Sequence, residues 1–73
     1  MPQFALKEAF NRYFLDGCST FTKHEVIAYG AGDRKKIETC LLTWELNGFL
    51  HILKPFDQAM DGEVMIKVLK RII

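Results

Sequence analysis

The sequence predicts an α+β domain in which three helices are closed by a small antiparallel sheet. Three observations carry that expectation. Apolar residues recur at three- and four-residue spacing over residues 3–15 and 33–47, the period of a helix with one buried stripe. A capping box, Thr22-Lys23-His24-Glu25, stands directly before Val26 and Ile27 and opens a short helix over 23–29. The last third changes period: residues 49–54 and 63–70 are rich in β-formers, and Asp61-Gly62, a strong short-range hairpin signal, lies between them.

The first helix has its stripe in Leu6, Ala9, Phe10, Tyr13 and Phe14, with Gly17 after it to end the helix in the left-handed conformation. Phe4 is off the stripe and is expected to fold back over the helix end. Ser19-Thr20-Phe21 suits a short strand after the first helix. Gly30-Ala31-Gly32 should end the second helix, its glycines supplying positive φ. Asp33 caps the third helix, Ile37, Cys40, Leu41 and Trp44 form its inward stripe, and Gly48 terminates it. Pro55 cannot donate to a β-ladder, so pairing should break there and leave a loose tip.

Length and charge limit the function. A chain of 73 residues is one domain, 1–73, with little room for a buried substrate cavity above an independent core, and a non-enzymatic role is expected. With 49% hydrophobic and 26% charged residues it is not a disordered tail. No apolar run approaches the ~18 residues of a membrane-spanning helix and no signal peptide opens the chain, so a cytoplasmic protein without a membrane partner is expected. Ten Lys and Arg against nine Asp and Glu leave a net charge of +1, without the basic excess of many nucleic-acid binders.

The element order, helix, strand, helix, helix, two-stranded hairpin, resembles the winged helix-turn-helix family. The resemblance reaches individual residues: Glu25-Val26 at the start of the second helix, Ile37, Leu41 and Trp44 in the third, then Gly48-Phe49-Leu50 into the strand. It implies a small DNA-binding regulator of transcription whose third helix enters the major groove, paired as a homodimer to double the half-site. Arg34 would then reach guanine, Lys35 and Lys36 would sit on phosphates, and Thr39 would touch a base or backbone oxygen. Lys67, Lys70 and Arg71 offer a second basic group for the DNA backbone.

Two features oppose that implication. The segment corresponding to the wing, residues 55–63, holds Asp57, Asp61 and Glu63 and no base, so phosphate would repel it. The third helix also has a second apolar stripe, in which Leu42 and Leu46 follow Lys35 and Thr39 at helical spacing. Leu42 and Leu46, with Phe56 and Met60 on the wing, would make a protein interface. The alternative function is therefore a winged helix used for protein contact, an inhibitor or assembly adaptor, and a solvated helix start is the plain explanation of Arg34-Lys35-Lys36.

Other chemistry finds no matching pattern. Cys18, His24, Cys40 and His51 are separated by six, sixteen and eleven residues, without the paired spacing of a zinc site, so neither metal nor cofactor is expected. Gly30-Ala31-Gly32-Asp33-Arg34-Lys35 lacks the spacing of a phosphate-binding loop. Phe10, Phe14 and Trp44 fall on inward stripes and read as core rather than as a stacking platform for single strands.

Overall fold

A computed structural model describes residues 2–73 as α1 (Pro2–Leu15), β1 (Thr20–Thr22), α2 (Lys23–Tyr29), α3 (Arg34–Leu46), β2 (Leu50–Ile52) and β3 (Val64–Val68). The three strands form one antiparallel sheet in the order β1-β3-β2, so the last strand occupies the centre. Phe21 faces Ile66 in one ladder, and Leu50 faces Val68 in the other. The result is a small α+β fold, consistent with a winged helix-like arrangement.

The three helices cover one side of this sheet. Leu6 and Phe10 of α1, Val26 of α2, and Ile37 and Leu41 of α3 are fully buried together with Phe21, Leu50, Ile66 and Val68. Each such side chain contributes about 1.5–3 kcal/mol on burial, so the sheet and the helices stabilise one another and neither stands alone. The Phe10 and Phe21 rings meet at 4.6 Å, joining α1 to β1. A register shift between Phe21 and Thr22 breaks the simple alternation, and both Met65 and Ile66 of β3 are buried.

Local chemistry sets the helix boundaries. The Thr22 side chain accepts from the Glu25 N–H while the Glu25 carboxylate accepts from the Thr22 N–H, so the predicted capping box is present in full. Asp33 caps α3 by accepting from the Lys36 N–H at 3.2 Å. All three helices end in the same double hydrogen bond around one left-handed residue. That residue is Gly17 after α1, with Gly17 and Cys18 donating to Phe14 and Tyr13, and Gly48 after α3, with Gly48 and Phe49 donating to Glu45 and Trp44. After α2 it is Ala31, at φ 62°, with Ala31 and Gly32 donating to Ala28 and Ile27, and Gly32 beyond it supplies the expected positive φ, 80°.

Four expectations need correction. Gly30 has φ −86° and is not the left-handed residue; a Cβ there would collide with the buried Ile37 side chain, so Gly30 is needed for close approach of α2 to α3. Phe4 does not fold back over the helix end and is 61% exposed. The strands are shorter than 49–54 and 63–70, although single bonds from Leu53 to Met65 and from Leu69 to Phe49 extend the β2–β3 ladder.

The connection between β2 and β3 is not a loose tip. Asp61-Gly62 lies in a turn closed by the Glu63 N–H on the Met60 carbonyl, but residues 53–63 separate the strands. Within them Gln58 and Ala59 both donate to the Pro55 carbonyl, and Phe56 and Ala59 are buried. Burial of the Phe56 ring and two bonds from Lys23 hold the segment down, interactions distant in sequence.

Candidate functional site

The candidate surface is the outward side of α3 and the strand and loop beside it. At the start of α3, Arg34, Lys35 and Lys36 are all exposed. Carboxylates accompany them. Lys36 Nζ lies 4.0 Å from Asp33, and Arg34 and Lys35 border a shallow cleft with Glu38 and Asp57. With Lys23, which also borders the cleft, four cations share this end with three acids, which leaves a net charge of about one to attract phosphate. Thr39, one turn on, is exposed and donates its hydroxyl to the Lys35 carbonyl at 3.0 Å.

The second basic group lies elsewhere. Lys67 is exposed on β3 between Thr20 and His51, and Arg71 is exposed beyond the strand. Lys70 reaches over the Phe49 ring at 5.2 Å, and Phe49 immediately follows the C-terminal end of α3, where its N–H bonds to Trp44. The thirteen residues of α3 rise about 20 Å, and that length separates Phe49, under Lys70, from Arg34. Lys70 therefore does not join Arg34, Lys35 and Lys36 at the start of α3.

The apolar residues divide differently. Leu42 and Leu46 are 55% and 88% exposed on α3, and Met60 is 75% exposed on the loop. Phe56 does not join them: it is buried in the core cluster beneath Lys23, whose ammonium lies 5.8 Å from the ring centre. It is therefore no exposed contact and forms part of the floor of the groove beside Leu42.

Beside Leu42 a groove of about 240 Å³ runs between α3 and the β2 end of the loop. Leu41, Leu42, Ile52, Phe56 and Met65 supply its apolar lining, and the carboxylates of Glu38 and Glu45 border it. Glu45 also fixes the neighbouring strand, its Oε2 accepting from the Ile52 N–H at 2.7 Å. Sequence reasoning missed Glu38 and Glu45. The available signal was Glu38, Leu41, Leu42 and Glu45 at i, i+3, i+4 and i+7, one continuous strip of helix.

Titratable groups outside the groove are held by local contacts. The Tyr29 phenol is pushed up to about 12, by burial first and then by its neighbours Tyr13 and Glu25. Burial likewise pushes the Cys40 thiol up, and Cys18 is an exposed free thiol. Lys54, 2.8 Å from Glu63, holds that carboxylate below the usual range with help from the Met60 N–H. Among the described residues no three His, Cys, Asp or Glu side chains gather as a metal site, and no helix is long and apolar enough to cross a membrane. Comparison with family models, with curated proteins and with solved structures finds no match to this chain.

Proposed function

We propose that this chain is a non-catalytic protein-interaction module of winged helix-like build, contacting its partner through the outward side of α3. The observation that carries this reading is the apolar groove lined by the exposed Leu42, with the exposed Leu46 one turn further along α3. Single exposed leucines are ordinary, but a concave apolar lining beside them is the surface that association covers. The acids around Arg34 and Lys35 and the acidic loop support the same reading, because they oppose DNA at the face a winged helix would insert. The exposed free Cys18 fits a reducing, cytoplasmic setting.

A second reading, duplex DNA bound by a homodimer, is favoured by one observation: Arg34, Lys35, Lys36 and Thr39 are all solvent-accessible on the first turns of α3. In that reading Lys67 and Arg71 serve the DNA backbone.

Two charge and apolar variants separate the readings. A photo-cross-linking residue at Leu46 should capture a defined partner protein in cells, and Leu42→Asp should abolish that capture while Arg34→Glu/Lys35→Glu leaves it in place. Retardation of duplex DNA at low salt, weakening steeply as salt rises and lost in Arg34→Glu/Lys35→Glu, would instead establish the DNA reading.

A further inference from the structure

Building on the interaction reading, we infer that the groove beside α3 receives an amphipathic helix of another protein, with apolar side chains between two basic residues spaced seven apart. Size, charge and backbone chemistry each narrow the occupant. At about 240 Å³ the groove is smaller than the ~300–1,000 Å³ typical of sites for small molecules, and it suits one or two anchoring side chains.

Glu38 and Glu45 give the charge pattern. They stand seven residues apart on one strip of α3, about 10 Å along its axis, with Leu41 and Leu42 between them. Among the described residues neither carboxylate has a Lys, Arg or His nitrogen within 4.0 Å; the ion pairs present there are Lys36–Asp33 and Lys54–Glu63. Arg34 and Lys35 border the next cleft, so Glu38 is the more screened of the two. A helix lying along α3 with Lys or Arg at two positions seven apart presents the complementary pattern, charge for charge and apolar for apolar.

The backbone decides between a helix and a strand. β2 is an edge of the sheet and would ordinarily accept an added strand. The Leu53 N–H bonds inward to Met65 of β3, and the outward Ile52 N–H is already taken by the Glu45 carboxylate. An added strand would have to displace Glu45 or forgo the outward Ile52 donor, whereas a helix satisfies its own backbone and asks only for side-chain contacts.

Fluorescence anisotropy with synthetic peptides tests this. The probe is a helical 14-residue peptide with two leucines between lysines seven apart; the controls carry glutamates in place of the lysines, or the lysines on the opposite helix face. The lysine-flanked probe should bind with micromolar affinity, and both controls should bind at least about fivefold more weakly. Leu42→Asp should abolish binding, with circular dichroism checking the fold. Glu38→Gln/Glu45→Gln, which keeps an oxygen for the Ile52 N–H, should weaken it by about three- to tenfold. Equal binding of all three peptides that is still lost in Leu42→Asp overturns the charge pattern but leaves a protein-binding groove. A concentration-dependent dimer abolished by Leu42→Asp makes a second copy the occupant and overturns the foreign helix. No peptide binding, with cross-linking from Leu46 still capturing a partner, overturns the inference alone; loss of that capture as well removes the interaction reading.

Discussion

The ammonium of Lys23 lies 3.0 Å from the carbonyl oxygen of Ala59, and the same group donates to the carbonyl of Phe56. A buried lysine on two carbonyls links the first residue of α2 to a loop more than thirty positions later. Replacing it leaves two carbonyls without donors inside the fold. Lys23→Met, which keeps the apolar stem, should cost about 2–3 kcal/mol in urea unfolding with an unchanged denaturant slope. A cost below about 0.5 kcal/mol would show that water substitutes for the ammonium.

Gly30 and Ile37 make the closest approach between α2 and α3. Gly30→Ala adds a methyl against a side chain that is fully buried and has nowhere to turn. The expected loss is about 1–3 kcal/mol, read as a lower thermal midpoint. The same substitution at Gly32 meets no neighbouring atom, and its cost would come from backbone conformation alone.

Ala31 works in the opposite direction. It holds φ 62° at the end of α2, where Gly17 and Gly48 do the same work at the ends of α1 and α3. A Cβ in that region costs about 1–2 kcal/mol, partly offset by the freedom glycine has when unfolded. Ala31→Gly should therefore stabilise the chain by about 0.5–1 kcal/mol in equilibrium unfolding.

Tyr29 sets an alkaline limit. Its phenol is neutral to about pH 12 in the folded chain against 10.0 when free, because burial, Tyr13 and Glu25 all disfavour the phenolate. The stability this contributes is fully present below pH 10.0 and is lost as pH rises through about 12. Ultraviolet titration should show a late tyrosinate step near pH 12 that Tyr29→Phe removes.

Local signals in the sequence located what local chemistry controls. Thr22 and Glu25 mark the start of α2 because their two bonds close within four residues, and Gly48 marks the end of α3 for the same reason. Leu42 and Leu46 could be placed outward from helical spacing alone. What escaped depends on residues far apart. Phe56 looked like a surface residue because nothing nearby predicts that Lys23 holds its loop down. The groove escaped because it forms where Leu41 meets Ile52 and Met65, and Lys70 could be placed at the far end of α3 only once β3 was paired.

The central position of β3 has a consequence for how the chain is made. β1 and β2 do not pair with each other; within the sheet each pairs only with β3, the last of the three strands in the chain. Until β3 is free to pair, Phe21 and Leu50 have no Ile66 or Val68 to cover them, so a chain without it carries bare apolar edges. Chains truncated before Val64 should therefore be prone to aggregation or proteolysis, and chains that include residues 64–73 should not.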